Sequence, residues 1–190
     1  PFGDYKVADP RYDRHHFLIH DHFIAKALDL VRPGGIVAVV TSSGTMDKED
    51  SSARRYFAAR ADLLGAIRLP EDAFRRNADT SVVADILFFQ KRDRAVVRQP
   101  DWVGLRVTQD GYPVNAYFAD HPEMVLGSFT WGTGRYGRPE KTVKPRGGVT
   151  LAAQLEGAVG RIQGRITEAG PLELGPEGTG GSILADPSMR

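Results

Sequence analysis

The chain has 190 residues, of which 41% are hydrophobic and 26% charged. That is the composition of a globular domain and excludes a disordered or collagen-like chain. Twenty-five basic residues against 24 acidic ones leave a net charge of +1, so any contact with nucleic acid must come from a local patch. The absence of cysteine removes disulfide scaffolds, thiol nucleophiles and cysteine-ligated zinc, and fits a reducing, cytoplasmic compartment.

Residues 1–20 are polar and irregular and contain a histidine-rich stretch. Residues 21–32 read as a helix, with Phe23, Ile24, Ala27, Leu28 and Val31 on one apolar stripe and Asp21 suited to the N-terminal dipole. Pro33-Gly34-Gly35 stops it. The β-branched run 36–41 predicts a strand buried on both faces, as in a parallel sheet. It contains the longest apolar stretch, residues 36–40, which is too short to span a bilayer.

Residues 54–60 predict a helix with Tyr56 and Phe57 facing inward, and residues 63–69 a second strand ended by Pro70. Residues 82–90 predict a third strand. The short connection between the last two predicts an antiparallel pair at one end of the sheet. The expected fold class is therefore α/β.

Beyond Lys91 the texture changes. Residues 1–92 read as the core, and 93–150 as an irregular appended segment rich in Gly, Pro and aromatics, with a short helix around Tyr117 and Phe118. Residues 151–167 read as an amphipathic helix on Leu151, Leu155, Val159 and Ile162. Residues 168–190 read as a flexible tail or linker. The opening at Pro1, with no starting Met and no basic-then-apolar leader, reads as a piece of a longer protein without a signal peptide.

Taken in order, these segments resemble the second half of an adenine-N6 DNA methyltransferase core. Pro1-Phe2-Gly3 resembles the end of the family's Asn-Pro-Pro-Phe motif. Residues 20–35 resemble the helix that follows, 36–47 the next strand and its loop, and 65–70 with 86–91 the closing antiparallel pair. More narrowly, the chain is similar to the methyltransferase segment of very large phage and mobile-element helicase–methyltransferase proteins. In those, runs like His121-Pro122-Glu123-Met124-Val125-Leu126-Gly127 and Tyr136-Gly137 follow the core. The resemblance covers residues 1–164 and implies a Rossmann-like sheet that uses S-adenosylmethionine.

The implied chemistry is direct methyl transfer to the N6 amine of an adenine flipped out of its duplex. The resemblance gives Phe2 the base-stacking role, with Pro1 as its rigid neighbour. The motif's Asn and first Pro, the glycine-rich cofactor loop and the acidic ribose-binding residue would lie before residue 1. The chain alone is accordingly expected to be inactive and not to bind S-adenosylmethionine. The implied partners are DNA and a covalently linked helicase. Two alternatives stand beside this reading: a non-catalytic methyltransferase-like scaffold that loads DNA for a helicase, and the same chemistry on an RNA base or a protein amide.

Arg135, Arg138, Lys141 and Lys144, with Arg146 and the interleaved Trp131 and Tyr136, form a basic, aromatic stretch suited to gripping phosphates and stacking a base. Gly132-Thr133-Gly134-Arg135-Tyr136-Gly137 matches the dinucleotide fingerprint by letter, but Pro139 and Pro145 forbid the helix it needs, so it reads as a surface loop. His15, His16, His20 and His22 read as a polar loop and helix start, not a metal site; His16 and His20 stand at the spacing of one helical face. Ser42, Ser43 and Asp47 lack a nucleophile elbow, and the expected role is supporting.

Overall fold

The structure is a computed structural model that describes residues 7–75, 81–97, 99–133, 137 and 139–165. Its elements are α1 (Ile19–Leu30), β1 (Ile36–Ser42), α2 (Gly44–Asp47), α3 (Ser52–Arg60), β2 (Ala61–Leu69) and β3 (Ala84–Lys91). Then come β4 (Leu105–Val107), β5 (Pro113–Asn115), α4 (Ala116–Asp120), β6 (Ser128–Thr133), β7 (Pro139–Lys144) and α5 (Leu151–Val159). None of the described helices is long and apolar enough to cross a membrane.

The main sheet has the order β1-β3-β2. Strand β3 runs antiparallel to both neighbours, so β1 and β2 run parallel to each other. The antiparallel pairing of the last two predicted strands is therefore present, but β3 lies in the middle and β2 outside it. A short return after β2 lets β3 pair back along it, and β3's second ladder then takes up β1.

The stripe of α1 that meets the sheet is Ile24, Ala25 and Leu28. Phe23, expected on that stripe, is 44% exposed, because the buried line also takes in Asp21 at helical spacing from Ala25 and Leu28. Helix α3 starts where Asp50 Oδ1 accepts the Ser52 N–H at 2.8 Å, and it buries Tyr56 and Phe57 as expected. The Phe57 and Phe89 rings meet edge-on at 5.8 Å, joining α3 to the centre of the sheet.

The expectation that β1 is buried on both faces is not met. Val37 and Thr41 are buried, whereas Ile36 is 40% and Val40 54% exposed. Among the described residues β1 pairs with β3 alone, which makes it an edge strand with one covered face. The other face is covered along β2 instead. A Cβ at Gly65 would stand 3.0 Å from Ile162 and 3.3 Å from the Tyr117 hydroxyl, so a glycine lets that layer close on the strand.

The appended segment is more regular than expected. It holds two antiparallel hairpins, β4–β5 and β6–β7. Three-residue strands are too short to show a period of two, so the sequence pattern hides them. The helix at Tyr117 and Phe118 is present as α4, opened by Asn115 Oδ1, which accepts the Tyr117 N–H at 3.0 Å. Helix α5 ends at Val159, short of the expected residue 167; Val159 is 49% exposed and Ile162 packs from beyond the helix. The expected tail, 168–190, lies outside the described residues.

Candidate functional site

Strand β1 ends at Ser42 and is followed by Ser43, the position at which α/β sheets present ligand loops. Strand β2 ends beside it and leads through Pro70 to Glu71, whose N–H donates to the Val143 carbonyl at 2.9 Å. That bond lays β7 across the strand ends. Between them lies a polar cleft of about 480 Å³ lined by Ser42, Ser43, Glu71, Lys141, Thr142 and Lys144. The strand-end serines and the hairpin lysines, two separate features of the sequence, thus face one space.

Beneath the cleft is a buried charge network. Arg68, on β2, is fully buried and forks onto Asp85 of β3, with Nε and Nη2 each 2.8 Å from a carboxylate oxygen. Its Nη1 reaches Asp47 Oδ2 at 2.6 Å, and the Phe118 ring lies 4.2 Å from the guanidinium. Asp47 Oδ2 also receives Lys141 Nζ at 2.6 Å, and Asp47 Oδ1 accepts the Asn115 N–H at 2.9 Å. The Asn115 amide donates to the carbonyls of Met46, at 2.9 Å, and Trp102, at 2.8 Å. One cluster therefore joins β2, β3 and α2 to β5, α4 and β7.

The electrostatics follow from that packing. Burial alone would raise the Asp47 carboxyl, but Arg68 and Lys141 outweigh it and hold Asp47 below the ordinary carboxylate range. Burial is the largest influence on Asp85 and pushes it up, with Arg68 opposing. Burial also works against the Arg68 charge, yet Asp85 and Asp47 together hold its guanidinium above its usual value, so it stays charged. Lys141 is lowered, chiefly by burial.

The expected DNA-contacting residues divide. Arg135 and Arg138 lie outside the described residues, as do Pro1 and Phe2. Lys141 and Lys144 depart from the expected phosphate-gripping loop. The Lys141 side chain is only 16% exposed and is committed to Asp47, and Lys144 pairs with Glu71. Lys141 is thereby tied to a carboxylate inside the fold, whereas Lys144, 56% exposed in a surface pair, stays accessible to solvent.

The Gly132 fingerprint falls on the β6–β7 connection: β6 ends at Thr133, β7 starts at Pro139, and Gly137 adopts a φ of 74°. The histidines are dispersed. His16 precedes α1 with a φ of 49° and so shares no helical face with His20, while His15 stacks on Phe17 at 5.0 Å. Ser42 Oγ accepts the Gly44 N–H at 3.2 Å and helps to start α2.

The sequence reading missed Arg68, Asp85 and Asn115. A signal was present for two of them. Arg68 stands between Ile67 and Leu69, and Asp85 between Ala84 and Ile86, each a single charge inside an apolar run. Charges in such strands are paired or they are expensive, and two opposite ones in neighbouring strands suggest each other. Comparison of the chain with family models, with curated proteins and with solved structures finds no match.

Proposed function

We propose that this chain is the C-terminal half of an adenine-N6 DNA methyltransferase core that takes its methyl group from S-adenosylmethionine. The observation that carries the reading is the order β1-β3-β2, in which an antiparallel strand lies between two strands that run parallel to each other. The resemblance implies a closing antiparallel pair, and the pairing of β2 with β3 fits it. Two further features support it. The Met124-Val125-Leu126 run, implied to follow the core, is buried on the end of β2, where the Leu126 N–H donates to the Arg68 carbonyl at 2.8 Å. Among the described residues the edge of β1 is unpaired, which suits further strands there, and its exposed Ile36 and Val40 suit a further layer over that face.

Under this reading Phe2 stacks on the extruded adenine, and Ser42 and Ser43 stand at the strand end beside it. The catalytic power comes from positioning and electrostatics, with no covalent intermediate. The test is transfer of labelled methyl from S-adenosylmethionine to adenine N6 of DNA, by a protein in which this chain is joined to its cofactor loop. Phe2→Ala should lower kcat/KM about tenfold or more and Phe2→Trp should retain most of it. Labelling of RNA or protein in place of DNA would move the acceptor, and no labelling at all would overturn the reading.

DNA binding without methyl transfer in the same assay would instead favour a methyltransferase-like scaffold that binds DNA for a helicase without catalysis.

A further inference from the structure

Besides Lys141 and Lys144, the hairpins carry a row of aromatic rings and a further cation; Lys141 shares the face of that row, its Nζ 5.8 Å from the Phe129 ring centroid. Tyr112, from the β4–β5 connection, lies between two rings of β6. Its centroid is 5.5 Å from Phe129 and 5.7 Å from Trp131, with 30° between planes in both cases. Phe129 and Trp131 stand two apart on one strand, so they share a face, and Tyr112 joins them into one row. Phe129 packs against the core at the inner end, and Trp131, at the outer end, is 53% exposed.

Beside Phe129 lies a second cleft, of about 330 Å³, lined among others by Thr108, Ser128, Phe129 and Arg146. Arg146 donates to the carbonyls of Gly127 and Val125, each at 3.2 Å, and makes no ion pair among the described residues. One carboxylate, Asp110, also lines this cleft. A row of rings with one end in water has room for one more planar group. A cation held by carbonyls alone, next to hydroxyls, suits a phosphate.

We propose that the Tyr112–Phe129–Trp131 row, with Arg146 beside it, docks an unpaired stretch of DNA, one base stacking on Trp131 and a phosphate meeting Arg146. The site requires a base with a free face, which a paired and stacked duplex does not offer. The choice of DNA as the strand rests on the methyl-transfer reading; the stacking row and Arg146 are tested without methyl transfer.

The chain has two tryptophans, so Trp102→Phe leaves Trp131 as the sole indole reporter. Titration of that variant with oligothymidine at low salt should quench its emission saturably, and a duplex of equal length should not. In the otherwise unchanged chain, Trp131→Ala should weaken binding of a labelled oligonucleotide about tenfold, with Trp131→Phe recovering most of it. Because Trp131 is half-exposed, that substitution leaves the fold intact, which a melting curve checks. Arg146→Gln should weaken binding and flatten its salt dependence. Equal binding of duplex, an affinity unchanged by Trp131→Ala, or self-association that covers Trp131 without oligonucleotide would each overturn the proposal.

Discussion

On β3 the fully buried apolar side chains include Leu87 and Phe89, which share one apolar cluster with Leu28, Phe57 and Ile67. Where β2 meets the segment from β4 to β7, the fully buried ones include Arg68, Asp85 and Asn115. The first region is cohesive because apolar area leaves water, a force without direction that tolerates small shifts. The second buries Val114, Phe118 and Val143 in the same cluster and adds directed bonds to it. Arg68 and Asp47 must both be in place, and Arg54, 1% exposed, adds a 2.8 Å bond to the Val103 carbonyl. The difference teaches that at the strand ends directed bonds add to apolar burial, since Val114, Phe118, Met124, Leu126 and Val143 join the same apolar cluster. It also means that losing one polar partner releases that region more readily than the sheet beneath it.

Substitutions that break each region sharpen this contrast. Phe89→Ala, at the centre of the sheet, should destabilise the whole chain by about 3–5 kcal/mol in urea unfolding, with all probes moving together. Arg68→Leu leaves the buried Asp85 unpaired and should cost about 3–5 kcal/mol, and Arg68→Leu with Asp85→Leu should recover a large part of that loss. Recovery is the informative result, since it separates the penalty of a stranded charge from the worth of the pair. Asn115→Ala strands the Met46 and Trp102 carbonyls and removes the cap of α4, a loss of about 1–3 kcal/mol.

Acid offers a graded break. Asp47 is held below its ordinary value in the folded state, so its contribution is present above the unfolded pKa, near 4, and fades as pH falls through the lowered folded value. The stability gap between the wild type and Asp47→Asn should therefore be constant at neutral pH and close below about pH 4. The smallest effect belongs to Lys144→Ala. Its side chain is 56% exposed, and a pair of that kind is worth about 0–1 kcal/mol, to be read as a shift of the urea midpoint.

The sequence made the first region legible and the second almost opaque. Helices α1 and α3 and strands β1, β2 and β3 announce themselves through periods of 3.6 residues or through long apolar runs such as residues 36–41. Their order in the sheet was not legible, because pairing partners are chosen by the return path of the chain, and so β1 is an edge where an inner strand was expected. Strands β4 and β5 have three residues each, which no periodicity can reveal. The site suffered most. Lys141 reads as a phosphate-gripping charge until Asp47, far away in sequence, is seen 2.6 Å from it. The Tyr112–Phe129–Trp131 row likewise exists only once two hairpins are laid side by side.

Everything inferred at the strand ends depends on the hairpin being fastened there by Asp47, Arg68 and Lys141. Amide hydrogen exchange of the Asp47→Asn variant, measured residue by residue, tests this most directly. Exchange should speed up in β5, β6 and β7 while the amides of β1 and β3 keep wild-type protection. Equal acceleration throughout the chain, or a hairpin as protected as before, would contradict it.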